Sequence, residues 1–238
     1  SDSFRRMDST PIITAFADTC QEIGAVPIEG VGGDLRWAVK AILPMVFQPS
    51  KKAGTEELVA FGAQLANSDF GRGALSLRIY MLRIVCTNYA TLDEALRQVH
   101  LGKRLDDSIE YSDKTYQLDT KTMVSQVKDI IKGVLGPKKI NETVALIGKA
   151  LDDRLDPKQA WQELPKLGML KGEVDKVQEI FLNGGVEELP IGNSPARLAN
   201  AISWFAKSAE TPERRLELEQ VAGEIMIGKK RKKEVATA

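Results

Sequence analysis

The sequence contains few of the residues on which common metal and catalytic sites depend. It has one histidine, His100, and two cysteines, Cys20 and Cys86, which are far apart. The cysteine pair fits neither a disulfide framework nor the CxxC spacing of a zinc site, so both thiols are expected to be reduced and buried. Metal binding would have to rest on carboxylates alone. We therefore expect no metal and no cofactor.

Familiar nucleotide-binding and hydrolase motifs are missing as well. The chain has no GxxxxGK[ST], GxGxxG, HExxH, GxSxG or EF-hand loop. Its paired acids, such as Glu56-Glu57 and Asp152-Asp153, are adjacent in sequence, and adjacent side chains diverge. The sequence therefore predicts a protein without a catalytic centre. An enzyme with a scattered site, such as a nuclease, is the alternative.

Long apolar runs and an excess of one charge are also absent. No run of about 18 apolar residues could span a bilayer, and the first residues, SDSFRRMDST, lack the features of a secretory signal. If the chain is complete, we expect it in the cytoplasm and not at a membrane. The 33 basic and 33 acidic residues cancel, so net charge gives no general attraction to nucleic acid.

Hydrophobic periodicity predicts an α+β fold. A helical pattern over 11–23 is followed by a tight turn at Gly30 to Gly33 and by period-two patterns over 35–47, 58–65 and 74–86. The short connections favour a three-strand antiparallel meander. Thr91 and Glu94 form a capping box before an apolar stripe, which predicts a helix ending near Gly102.

The rest of the chain has a helical pattern. We predict an α+β core over 1–118 (helix, three strands, helix), a helical region over 119–228 and a basic flexible tail over 229–238. Within the core, the polar segment 103–118 is predicted to be a long surface loop or short helical turns. Three later helices should begin at Pro157, Pro195 and Pro212, because a capping residue precedes each proline.

Basic residues on and beside the predicted strands are candidate contacts to a nucleic acid. Arg78 and Arg83 lie in the apolar run 74–86, where a buried arginine is costly unless it is paired. Each should therefore contact an anionic ligand or form an ion pair with a carboxylate. The candidate contacts to the nucleic-acid backbone are Arg36, Lys40, Lys51, Lys52, Arg72, Arg78, Arg83, Lys103 and Arg104. Trp37, Phe70 and Tyr89 are candidate stacking platforms, with a place in the core as the alternative for Trp37.

Several stretches resemble a family of phage and plasmid proteins known as the domain of unknown function number nine hundred and thirty-two. They are LRWAVKAILP from Leu35, NSDFGRG from Asn67, ALSLRIYMLRIVCTN from Ala74, His100 to Gly102, and LANAISWF from Leu198. The family's loop has a histidine that this chain lacks after Ser68. The resemblance implies a phage or prophage gene product, and the family lends no activity.

A second resemblance concerns the order of elements. A β-β-β-α unit with a basic strand face is similar to the core of the single-strand annealing proteins of the RecT and Redβ group, which assemble into rings or filaments. That likeness implies an oligomer that contacts single-stranded DNA through lysine and arginine. The first hypothesis is therefore a non-catalytic single-stranded-DNA-binding protein that promotes strand annealing as a homo-oligomer. The alternative is a phage protein-binding or structural factor, for example a host-defence inhibitor, acting through its helical half.

Overall fold

The structure is a computed structural model that describes residues 9–32, 37–50, 57–67, 75–84, 88–98, 112–183, 189–190 and 192–228, without side chains at 31, 88 and 93–98. Helix α1 (Thr10–Glu22) precedes strands β1 (Val26–Gly32), β2 (Trp37–Ile42), β3 (Val59–Asn67), β4 (Leu75–Arg83) and β5 (Asn88–Gln98). The later helices are α2 (Asp113–Val134), α3 (Pro137–Asp152), α4 (Pro157–Glu163), α5 (Lys171–Asn183), α6 (Pro195–Ala206) and α7 (Pro212–Met226), with a 3₁₀ helix at Leu164–Leu167. The predicted α+β class, with helices mainly in the second half, is confirmed.

The strands form one antiparallel sheet in chain order, β1-β2-β3-β4-β5. The antiparallel meander is confirmed, but the predicted number of three strands is wrong because the sheet has five. The three predicted strands correspond to β2, β3 and β4. The first part of β1 was predicted as a short extended segment, Ala25 to Glu29, and was not counted as a strand. It was ended too early because Gly30 to Gly32 resemble a turn, whereas they belong to β1. Glycine is tolerated here because β1 is an edge strand, where side-chain packing matters less.

The second error concerns the segment after β4. The capping box at Thr91 predicted a helix, but residues Asn88–Gln98 form β5 at the other edge of the sheet. Ala90, Thr91 and Leu92 are all buried. Pairing with the neighbouring strand β4 prevails here over the local helical pattern, as tertiary context commonly does.

Helix α2 begins within the segment that was predicted as a loop or short helical turns. Ser112 is its N-cap, and its side chain accepts a hydrogen bond from the backbone N–H of Thr115. One face of the helix is buried through Met123, Val127 and Ile131. The part of 103–118 before Ser112 lies outside the described residues, as does His100.

The chain divides into two compact units. The first, unit 1, consists of Ser1–Met45, Ala60–Tyr80 and Glu94–Ile140, so it contains α1, β1, β2 and α2. Helix α1 packs against α2, and Asn67 Nδ2 donates a 2.9 Å hydrogen bond to Ser9 Oγ at the start of α1. Cys20 on α1 is buried as predicted, and burial raises the pKa of its thiol to about 11.

The second, unit 2, consists of Val46–Val59, Met81–Asp93 and Asn141–Ala238. Helix α6 packs against both α5 and α7. Arg197 on α6 donates hydrogen bonds to the carbonyl oxygens of Phe181 and Pro190, which satisfies acceptors near the end of α5. The division into a core over 1–118 and a helical region over 119–228 stays a prediction.

Candidate nucleic-acid interface

Most predicted phosphate contacts lie outside the described residues. They are Arg36, Lys51, Lys52, Arg72, Lys103 and Arg104. The stacking candidate Phe70 and the predicted tail at 229–238 also lie outside the described residues. The described cations are Lys40, Arg78 and Arg83. Only for these three can the predicted role be compared with the surroundings of the side chain.

Lys40 lies in β2, and its side chain is only 2% exposed. Its Nζ lies 3.1 Å from Oε2 of Glu29, the residue opposite it on β1, and 5.9 Å from the ring centroid of Tyr80. A buried ammonium requires such a carboxylate because an isolated charge is costly to remove from water. A phosphate could reach Lys40 only if this ion pair opened. The ammonium group of Lys40 is therefore not exposed for the predicted phosphate contact.

Arg83 ends β4 and is buried against a carboxylate. Its Nε and Nη2 donate to the two carboxylate oxygens of Glu57, a bidentate geometry that favours arginine over lysine. The backbone places these side chains together, since the N–H of Ile84 donates a 2.9 Å hydrogen bond to the carbonyl of Leu58. Of the two roles predicted for Arg83, the structure has the ion pair.

The remaining described candidates are half-buried. Arg78 lies in β4 between the buried residues Leu77 and Ile79, and its predicted phosphate contact stays a prediction. Trp37 begins β2. Tyr89 lies in β5 with the guanidinium carbon of Arg215 5.9 Å from its ring centroid. Two of the three described candidate phosphate contacts, Lys40 and Arg83, are thus held by carboxylates.

Sequence reasoning missed a row of lysines on α2. Lys114, Lys121 and Lys128 are spaced seven residues apart, and Lys132 follows four residues later. Because seven residues make nearly two helical turns, the four positions lie within an arc of about 40° and extend over roughly 27 Å. Lys114, Lys121 and Lys132 are exposed, and Lys128 is half-buried. We call these four residues the α2 lysine row.

Among the described residues, few acids lie beside this row. The helix's own acids, Asp113, Asp119 and Asp129, lie at least about 60° away from it around the helix axis. Glu22 of α1 forms an exposed ion pair with Lys132 at 2.8 Å. The hydrogen bond from Lys132, with further help from its charge and that of Lys128, lowers the pKa of Glu22. Lys114 and Lys121 therefore give the N-terminal half of the row its positive charge.

The seven-residue spacing was a signal that the sequence contained. It went unnoticed because Lys114 fell in the segment predicted as a loop, so only Lys121, Lys128 and Lys132 were on a predicted helix. A helix starting at Ser112 brings Lys114 into line with them.

The described residues contain no group of three or more His, Cys, Asp and Glu side chains that could hold a metal ion. None of the described helices has the combination of length and apolar composition that a membrane span requires.

Comparisons with known proteins found no relative of this chain. Neither a protein-family model, nor a curated protein, nor a solved structure matches the chain. The two resemblances drawn from the sequence stay predictions.

Proposed function

We propose that this chain is a non-catalytic single-stranded-DNA-binding protein that works as a homo-oligomer and promotes strand annealing. The observation that carries the proposal is the α2 lysine row, with three exposed ammonium-bearing side chains along one line of a 22-residue helix. In this proposal the lysines of α2, and not the strand residues, make the main contacts to the DNA backbone. The phage origin and the cytoplasmic location stay predictions.

The row suits a phosphate backbone because it is linear and long. Successive lysines at seven-residue spacing are about 10.5 Å apart along the helix axis, and the flexible side chains can reach neighbouring phosphates. Contacts of this kind release counterions and read no sequence. They need no catalytic group. One subunit supplies at most four such contacts from the row, so an oligomer that aligns several rows would bind far more tightly.

Titration of labelled single- and double-stranded oligonucleotides at about 50 and 200 mM salt tests the proposal, with particle mass measured on the same samples. We expect preference for single strands, a steep loss of affinity with salt, and particles larger than one chain. Absence of binding at the lower salt concentration would refute DNA binding. It would favour the alternative of a protein-binding or structural factor.

A triple variant locates the contacts. Lys114→Gln, Lys121→Gln and Lys128→Gln should make the slope of log K against log salt shallower by about 2, since each single-strand phosphate contact contributes about 0.7. Lys132 is left intact because it pairs with Glu22. The matched control, Lys138→Gln, Lys149→Gln and Lys158→Gln, removes the same charge from exposed lysines of α3 and α4. An equal change in both variants would show that binding does not depend on the row.

A further inference from the structure

Helix α6 carries a partly exposed indole ring, that of Trp204. Leu198, Ala201, Ile202 and Ala206 form the buried apolar side of the helix, whereas Trp204 is 36% exposed. Large aromatic side chains bury much apolar area when they are enclosed, so an exposed tryptophan forgoes part of that stabilisation. A binding role would account for its position.

Two lysines lie over the aromatic rings at this end of α6. The Nζ atom of Lys207 is 4.4 Å from the ring centroid of Trp204, within the range of a cation–π interaction. The next residue, Phe205, is half-buried, and Nζ of Lys176 on α5 is 5.9 Å from its ring centroid. Since α5 packs against α6, unit 2 presents two aromatic rings, each with its own ammonium group.

We propose that Trp204 is a base-stacking platform. The flexible side chain of Lys207, which covers the ring face in the free protein, would move aside on binding and contact the phosphate beside the stacked base. This inference rests on the proposed binding of single-stranded DNA and adds a second site to it, in unit 2. Every base has a π-face, so stacking on an indole tolerates any sequence, and the accompanying cations match the charge of the backbone.

Tryptophan fluorescence gives a direct readout of stacking. The chain has three tryptophans, and Trp37 and Trp161 are half-buried, so Trp204 is the most exposed of the three. Adding oligo(dT), which has little structure of its own, should quench the emission of the wild-type protein. The Trp204→Phe variant should lose most of this quenching while it still binds labelled oligo(dT).

Affinity measured by anisotropy completes the test at about 50 mM salt, where phosphate contacts are strong. Trp204→Ala should weaken binding of oligo(dT) between about 5-fold and 150-fold, the range for loss of one stacked base, and Trp204→Phe should recover most of it. Leu182→Ala removes a 59% exposed apolar side chain from the same unit and should leave affinity unchanged. Circular dichroism and melting curves verify that each variant is folded.

The outcomes separate the two proposals. If the wild-type protein does not bind oligo(dT), the proposed function fails and the stacking site fails with it. If the wild-type binds while Trp204→Ala binds equally well without a change in quenching, only the stacking site is overturned. That result would favour a contact between Trp204 and another protein.

Discussion

At the scale of single residues, the ion pair between Arg83 and Glu57 decides between two predicted roles. Both side chains are less than a tenth exposed, and the guanidinium meets the carboxylate in a bidentate arrangement. An arginine held in this way is not available to a phosphate. A buried pair of this kind stabilises little compared with apolar residues, but removing one partner leaves an unpaired buried charge.

We expect Arg83→Met to lower the free energy of unfolding by about 3–5 kcal/mol, because Glu57 would stay buried without its partner. The double variant Arg83→Met with Glu57→Leu should recover most of that loss, since it leaves neither charge behind. Urea denaturation of the wild-type protein, the two single variants and the double variant measures these values. A double variant as unstable as the sum of the two single changes would contradict the interpretation of Arg83 as a structural residue.

The sequence alone could predict that Arg83 needs a partner but not which one. Glu57 precedes a predicted strand and was considered only as a member of an acidic pair with Glu56. The two residues meet because β3 and β4 are neighbours in the sheet, which is information from pairing and not from local sequence. The same applies to Lys40, whose partner Glu29 lies on a strand that was read as ending in a turn.

At the scale of elements, helix starts were the most predictable feature. The helices α4, α6 and α7 begin at Pro157, Pro195 and Pro212, as predicted. In each case the side chain of the residue before the proline accepts a backbone hydrogen bond from the first turn. These signals are local, so no tertiary contact needs to be known. Strand β5 shows the converse, because a capping-box pattern was overridden by sheet pairing.

The junction of α5 and α7 depends on a charge network that should respond to pH. Arg214 of α7 donates to both oxygens of Glu173 on α5, at 2.8 and 2.5 Å, and also to Glu217 and to the carbonyl of Gly168. The hydrogen bond from Arg214, followed in effect by one from the backbone of Leu170, lowers the pKa of Glu173 although partial burial opposes this. The carboxylate is therefore the form that stabilises the folded state.

Because the folded-state pKa of Glu173 is lowered, its stabilisation is present above the unfolded-state value of about 4.3 and is lost as pH falls through the folded value. We expect Glu173→Gln to cost about 1–2 kcal/mol at neutral pH, as for loss of charged hydrogen bonds. The gap in melting temperature between this variant and the wild-type protein should narrow from pH 6 towards about pH 3.

The control is Glu179→Gln, which removes an exposed carboxylate from the same helix. Its melting temperature should follow that of the wild-type protein throughout. A gap for Glu173→Gln that stays constant with pH would show that the network does not depend on the charge of Glu173.

At the scale of the whole molecule, the class of the fold could be predicted and its long-range pairing could not. Periodicity located three strands and most helices because each depends on residues close in sequence. The edge strands β1 and β5 carry weak or misleading local patterns and are defined by their neighbours in the sheet. The α2 lysine row was missed for a related reason, since one wrong boundary at Ser112 removed Lys114 from it.

The contact between α7 and β5 offers a test of strand β5, which the sequence pattern had predicted as a helix. At Gly223 on α7, an added Cβ would overlap the backbone carbonyl oxygen of Thr91, a residue far away in the chain. Gly223→Ala should therefore destabilise the protein by about 2–3 kcal/mol, because backbone atoms must move to make room. The matched control is Gly172→Ala on α5, where a Cβ would meet no atom within 4 Å and should be neutral or stabilise by up to about 1 kcal/mol.

The sign of the Gly223 effect distinguishes the two structures proposed for 88–98. If these residues formed the helix that the capping box predicts, with no strand carbonyl against α7, Gly223→Ala would behave as an ordinary helix substitution. Alanine would then stabilise α7 by up to about 1 kcal/mol. Urea denaturation of Gly223→Ala and Gly172→Ala side by side gives both signs. Loss of stability in the first variant alone is the result expected from a β5 strand packed under Gly223.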